Sequence, residues 1–327
     1  MIYIRSEHNK DEHRTPLVPN DIKKLNNYIV YVQSSENRIY SDEEYQNNGA
    51  IITNKLWYDP IFKDALIVGL KDLDNLDKLA GHSHVYFSHS YKNQLGSEKI
   101  LSAFKNSSSI IYDFEYFINN NKRLISFGYY AGIAGGYLGL LQYITKKQYP
   151  GKNISNLEYC ETINNSSLQN INICIIGSNG NCGEGVKYIL DNLNLKYIQI
   201  QKGNDKSNLK NYDILYNCIK LSEESNEIWF DKNTVFTKPI IIVDISCDYT
   251  KENNPIKLYN KCTTWTEPVY SYNQYVDIIA IDNLPSLLPK DSSDYFSNIF
   301  TKLLLEKDKF GYWENNKNIF KLISQQI

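Results

Sequence analysis

Three side chains able to do acid–base chemistry stand just past the ends of three apolar runs. Asp64 to Leu70, D-A-L-I-V-G-L, ends at Lys71; Val85 to Phe87 ends at His89; Ser109 to Tyr112 runs into Asp113 and Glu115. A lysine that is desolvated or set among other cations gives up its proton more readily, and a histidine titrates near neutral pH, so both suit proton transfer. Runs this short and apolar read as buried strands. In a parallel sheet the residues past the carboxyl ends converge on one edge, where open α/β sheets place ligands. Lys71, His89 and Glu115 are therefore expected in one crevice. Taken singly, Lys71 also reads as a solvated residue at a helix start, and His89 as a hydrogen-bonded core histidine. Their joint placement is what points to chemistry. His82 and His84 alternate along an incoming strand with no third ligand at metal spacing, so no metal is assigned.

A second stretch carries a different chemistry. Residues 172–185 read N-I-C-I-I-G-S-N-G-N-C-G-E-G: four apolar residues suited to a buried strand, glycines at 177, 180 and 183, then Val186, Ile189, Leu190 and Leu193 at helical spacing. Strand, glycine turn and helix start together hold a pyrophosphate, because glycine lets the backbone approach and the first N–H groups of the helix face the anion. The spacing is G-x-x-G-x-x-G rather than G-x-G-x-x-G, so a tight strand-to-helix turn without a ligand is the competing reading. The candidate cofactor contacts are Gly177, Gly180, Asn181, Cys182 and Gly183, with Cys218 nearby. Beside such a loop, a lysine, a histidine and a carboxylate suggest proton transfer coupled to hydride transfer.

The elements that must position these groups alternate between strand and helix. The 327 residues exceed one ordinary core, so two lobes are expected, residues 1–127 with 288–327 and residues 128–287. The expected fold class is α/β: two Rossmann-like lobes with mostly parallel sheets and an interdomain cleft. In the first lobe, Asn20 is expected to cap a helix carrying Ile22 and Leu25, Ile29 to Val32 to be a strand, and Asp42 to Gln46 to start a helix. In the second, strands are expected at Ile173–Ile176, Tyr197–Ile200, Ile214–Tyr216, Ile240–Val243 and Val276–Ile281, with Asp244 and Asp282 closing two of them. Residues 149–169 read as a polar linker. Pro285 and Pro289 stop any continuing strand, and the tail from Ser293 looks helical and is expected to fold back on the first lobe. Ile125 to Thr145 is uncharged with glycines at 128, 132, 135, 136 and 139, a spacing a membrane dimer could use. Its five glycines and four tyrosines dilute the hydrophobicity, so a helix packed between the lobes is preferred.

Composition narrows the partners. A net charge of −2 and no basic field argue against nucleic acid and anionic membranes, leaving small-molecule substrates and a monomer or small homo-oligomer. Six cysteines occur singly at irregular intervals, which fits reduced thiols in a cytoplasmic protein. Cys182 and Cys218 lie near the glycine loop and read either as ordinary buried thiols or as a redox-sensitive pair. Met1 opens a polar, charged segment, so no secretory signal is expected.

The segments E-H-R-T-P-L-V-P (12–19), V-G-L-K-D-L (68–73), H-S-H-V-Y-F-S-H-S-Y-K-N-Q (82–94), F-G-Y-Y-A-G-I-A-G (127–135), I-I-G-S-N-G-N-C-G-E-G (175–185) and I-D-N-L-P-S-L-L-P (281–289) resemble the lysine-forming saccharopine dehydrogenases, within the wider alanine dehydrogenase and transhydrogenase group. The match runs in order from the first residues to about Phe296. It implies conversion of saccharopine, NAD and water to L-lysine, 2-oxoglutarate and NADH, in lysine biosynthesis by the aminoadipate route. In that family a lysine matching Lys71 takes the proton of the secondary amine, a histidine matching His89 handles protons as water adds, and a carboxylate matching Glu115 tunes the two. Arginines matching Arg14 and Arg123, with Lys92, would hold substrate carboxylates, and Asp282 would line the site near the cofactor.

Two departures stand out. Asn9 falls where the family has a lysine, with Lys10 one position later, which would remove or shift a contact. After the strand ending at Ile200, where an acid should grip the ribose hydroxyls, the chain reads Gln201-Lys202-Gly203-Asn204, and the nearest acid is Asp205. Lys202 would favour the 2′-phosphate of NADP; NAD is preferred, because loop length can bring Asp205 into reach. Two other readings stay open: another amino-acid dehydrogenase of the alanine dehydrogenase type, and a homologue that binds a dinucleotide without turnover.

Overall fold

A computed structural model describes residues 1–92, 96–145, 163, 168–201, 203–221, 226–307 and 309–327. The expected linker at 149–169 lies largely outside these residues, and Lys202 wholly so. The described chain forms two compact units, Met1–Ser126 with Pro289–Ile327, and Phe127–Leu288.

The first unit is built on a sheet of strands β1 (Ile2–Ile4), β2 (Val30–Gln33), β3 (Ile51–Thr53), β4 (Leu66–Val68), β5 (Ser83–Tyr86) and β6 (Ile110–Asp113), in the order β3-β2-β1-β4-β5-β6 with every pairing parallel. β1 is central and wholly buried, as its sequence Ile-Tyr-Ile requires. Tyr3, Trp57, Phe62, Phe104 and Phe320 share its core. The first helix, α1 (Pro19–Ile22), is short, and Val18 rather than Asn20 holds the cap position. Pro19 decides this: its fixed φ suits the first helical position, which puts Asn20 inside the helix. Helix α2 (Asp42–Asn47) starts on a capping box between Ser41 and Glu44, and α3 (Ser97–Asn106) buries Leu101 and Phe104. A hairpin of β7 (Ile118–Asn119) and β8 (Lys122–Arg123) follows β6.

The second unit repeats the plan. Helix α4 (Gly128–Thr145) precedes β9 (Ile173–Ile176), α5 (Asn181–Asn192), β10 (Tyr197–Ile200), β11 (Ile214–Asn217), β12 (Ile240–Asp244), β13 (Tyr270–Ser271) and β14 (Val276–Ile279). The sheet order is β10-β9-β11-β12-β14-β13, parallel except for the edge strand β13. β14 ends before Ile281, which instead bridges Thr263.

The glycine-rich helix α4 belongs to the second unit's core. Ile133, Tyr137 and Leu140 lie together with Ile175, Tyr216 and Val243, so the helix covers the second sheet. Its small residues serve a helix crossing. A methyl group at Gly132 would stand 1.9 Å from the Cys182 carbonyl oxygen, and one at Gly185 2.0 Å from that of Tyr129. No helix among the described residues is long and apolar enough to cross a membrane.

The tail forms two helices, α6 (Pro289–Leu305) and α7 (Tyr312–Ser324), separated at Gly311 with φ +68°. Both belong to the first unit. Ser293 Oγ accepts the Thr15 N–H at 3.0 Å and Ser297 Oγ that of Val18 at 2.9 Å, so α6 satisfies backbone donors beside α1.

Candidate functional site

Because β1, β4, β5 and β6 are neighbours, the turns after their carboxyl ends lie side by side. The turn after β4 carries Lys71, and its backbone is gripped from β1. Glu7 accepts the N–H groups of Leu70 at 2.7 Å and Lys71 at 3.0 Å, while Arg5 donates to the Lys71 carbonyl and to Glu7. Both side chains are almost wholly buried, at 2% and 5% exposure, so their charges compensate each other out of water. Further along the segment that follows β1, Arg14 donates from Nε and Nη2 to both oxygens of Glu12, at 2.7 and 2.6 Å. Burial alone would raise the Glu12 carboxyl, but Arg14 outweighs it and Lys71 adds to the effect, so Glu12 lies below the ordinary carboxylate range. Lys71 thus stands within electrostatic reach of the Glu12–Arg14 pair.

Past β5, His89 is exposed and left-handed, with φ +49°, between the buried Ser88 and Ser90. Past β6, Glu115 is flanked by two cations. Lys92 donates to its Oε2, and Arg123, on β8, approaches Oε1 at 2.8 Å. Burial pushes the Glu115 carboxyl up; Arg123, Lys92 and the nearby His89 push it down further, so it too lies below its ordinary range. His89, Lys92, Glu115 and Arg123 therefore form one charged cluster, and Lys71 with Glu12 and Arg14 a second on the same sheet edge. Arg14 and Arg123, both expected to face a substrate, each hold an internal carboxylate. In Arg14 this pair engages two of five guanidinium donors. Asn9 turns back on its own loop, its side-chain oxygen accepting the Asp11 N–H at 2.9 Å, and Lys10 is exposed.

In the second unit, Gly177 has φ +82°, and a methyl group there would lie 3.0 Å from the Cys218 backbone. Gly183 packs against the turn itself, where a methyl group would meet Ser178 Cα at 2.4 Å. Gly180 is the N-cap of α5 and has no side chain to fold back over the helix start that carries Asn181 and Cys182. The three glycines of the run thus do separate jobs, a left-handed turn, an open helix start and close packing, and leave the cradle that a pyrophosphate would fill. Gln201 donates to Ser178 Oγ at 2.5 Å, joining the tip after β10 to this loop. Asp205 is exposed, and its carboxylate accepts the Ser207 N–H at 2.9 Å and hydroxyl at 2.8 Å. Asp244, fully buried, accepts from Asn217 at 2.8 Å and Tyr259 at 2.5 Å, while Asp282 is exposed after β14.

Cys182 and Cys218 share no disulfide, in keeping with ordinary thiols, and burial pushes the Cys218 thiol well up; among the described residues a close sulfur contact joins Cys247 and Cys262, at 3.3 Å. The loops after β12 and before the Thr263 bridge bring those two together, a pairing that spacing alone does not reveal. Arg5, Glu7 and Glu12 carried no expected role, and Asp113, named at the end of its apolar run, was given none either. Glu12 and Asp113 stood inside segments already singled out, so their positions, though not their partners, were available.

Residues 3–134 match the family model for the alanine dehydrogenase/PNT N-terminal domain. The chain is 28% identical to the saccharopine dehydrogenase [NAD(+), L-lysine-forming] of Schizosaccharomyces pombe, covering 100% of this chain and 99% of that protein. It is 31% identical to the Candida glabrata enzyme of the same name, over 91% of this chain and 89% of that protein. Among solved structures, an L-alanine dehydrogenase aligns over 98% of this chain and 94% of its own with a TM-score of 0.71 at 13% identity, a likeness of fold. Coverage this complete, at this identity, places the chain in the family of lysine-forming saccharopine dehydrogenases.

Proposed function

We propose that the chain catalyses the reversible reaction of saccharopine, NAD and water to L-lysine, 2-oxoglutarate, NADH and a proton. The observation that carries this reading is the division of labour between the two sheet edges: one bears Lys71, His89 and Glu115 amid paired charges, and the other a glycine cradle. The first unit would be the substrate and catalytic domain, and the second the dinucleotide domain. NAD, held at the glycine cradle, would supply the hydride acceptor. Lys71 takes the proton of the secondary amine, and His89 moves protons as water adds to the imine and the carbinolamine collapses. Glu115, ionised between Lys92 and Arg123, offsets part of the positive charge that these two cations set beside His89. Arg14, Arg123 and Lys92 face the substrate carboxylates, each already steadied by an internal partner. Gly177, Gly180, Asn181, Cys182 and Gly183 would hold the pyrophosphate, and Cys218 and Asp282 would border the cofactor.

NAD is the proposed cofactor, with Asp205 turning from Ser207 to the ribose. The protein would work in the cytoplasm as a monomer or small homo-oligomer. Mixing lysine, 2-oxoglutarate and NADH or NADPH in parallel tests substrate and cofactor together. NADH absorbance should fall, and faster than that of NADPH. Turnover with pyruvate and ammonia instead would favour an alanine-dehydrogenase-type enzyme, and binding without any turnover would leave a dinucleotide-binding homologue.

A further inference from the structure

Asp113, the last residue of β6, is 1% exposed and holds both the residue before His89 and the backbone of Glu115. One carboxylate oxygen accepts the Ser88 N–H at 3.1 Å and the Ser88 hydroxyl at 2.6 Å; the other accepts the Glu115 N–H at 2.8 Å. Ser88 in turn meets the Ser90 hydroxyl at 2.7 Å, so the residues on both sides of His89 are tied to one buried anchor. His89 itself is exposed and left-handed. A non-glycine residue in that conformation is strained and persists only where its surroundings over-determine it. Asp113 supplies that over-determination. The anchor is itself fixed: fully buried Asn316, on α7, accepts the Asp113 N–H at 3.0 Å and donates to its carbonyl at 2.8 Å.

We infer that Asp113 is a positioning residue that sets His89 and Glu115 relative to one another for proton transfer, through Ser88 on one side and the Glu115 N–H on the other. The inference rests on the proposed function for its catalytic consequence, but the placement of His89 is testable without turnover. An asparagine at 113 keeps the volume but offers one acceptor oxygen, so it must release either Ser88 or Glu115.

With histidines labelled at Cε1, the protein gives five resonances, and the one lost in His89→Ala belongs to His89. In Asp113→Asn, and to a lesser degree in Ser88→Ala, that resonance should move and broaden while those of His82 and His84 stay in place. In the assay with lysine, 2-oxoglutarate and NADH, Asp113→Asn should lower kcat by about 10²-fold, the scale set by a misplacement of about 1 Å. It should reshape the pH–rate profile and leave the KM for NADH unchanged. If Asp113→Asn does not fold, Ser88→Ala alone decides through the same resonance and pH profile. An unmoved His89 resonance in the folded variant overturns the inference whatever the enzyme turns over. So does a kcat loss with an unchanged pH profile, which is what a purely structural role would give. Absence of turnover in the unsubstituted protein would count against the proposed function, and the resonance would still decide the role of Asp113.

Discussion

Each sheet ends in a buried aspartate: Asp113 closes β6 and Asp244 closes β12, and burial raises both carboxyls above their ordinary range. Each clamps the turns beside it. Around that shared device the two edges differ. The first is crowded with charge, in the pairs Arg5–Glu7 and Glu12–Arg14 and the triplet Lys92–Glu115–Arg123. The second is furnished with glycines, amides, hydroxyls and thiols, from Gly177 and Ser178 to Asn217 and Cys218. Moving a proton needs ionisable groups whose charges are balanced at close range, whereas holding a pyrophosphate needs backbone N–H groups and room to approach. One architecture serves both because the difference lies in a handful of residues past the strand ends.

That contrast can be broken most sharply at Lys71. Lys71→Met should cut turnover by about 10²–10⁴-fold, the usual worth of an acid–base group, while the Kd for NADH followed by fluorescence stays unchanged. A parallel loss of NADH binding would show that the two edges do not divide the work. Gly183→Ala is the converse. Its methyl group would meet Ser178 Cα at 2.4 Å, overpacking that should cost about 1–3 kcal/mol in urea melts. It should also weaken NADH binding by calorimetry. The pH–rate profile, which belongs to the other edge, should keep its shape.

The smallest effect concerns acid stability. All five histidines precede residue 90, so the second unit has none. His84 is fully buried among Trp57, His82 and Phe104, and neither ring nitrogen has a hydrogen-bond partner among the described residues. Burial, with the charges of Arg5 and His82, holds it well below its ordinary value of 6.5. The folded protein thus keeps this ring neutral while the unfolded chain protonates it. Stability is full above the unfolded value and falls as pH drops below it, by up to about 1.4 kcal/mol per pH unit for one proton. Hydrogen exchange at pH 5 should open the first unit before the second. His84→Phe should flatten the pH dependence of the melting temperature; an unchanged slope would place the acid lability elsewhere.

Much of this was legible in the sequence for a physical reason. Short apolar runs bounded by polar turns fix where parallel strands end, and the end of a parallel strand is where a ligand edge forms, so Lys71, His89, Glu115 and the 177–185 loop could be placed. What pairs with what could not. Arg14 looked ready for a ligand, yet its nearest carboxylate is two residues away, and only burial turns Glu12 and Arg14 into a bidentate pair. The destination of α4 depended on Cys182 and Tyr129 backbone approaching Gly132 and Gly185, a fit that lives in three dimensions. Asn20 lost the cap to Val18 because a neighbouring proline outweighed it. Asn316 and Asp113 meet across 203 residues, beyond the reach of any local pattern.

That last contact has a consequence for how the protein is made. Synthesis runs from the amino end, and the ribosome delivers all of Phe127–Leu288 before the helices that complete the first unit. The inserted unit has its whole sheet in hand by residue 279, whereas the end of β6 waits for residue 316. The lobe begun first is therefore finished last, and the turns carrying His89 and Glu115 gain their anchor only when the nascent chain has supplied α7.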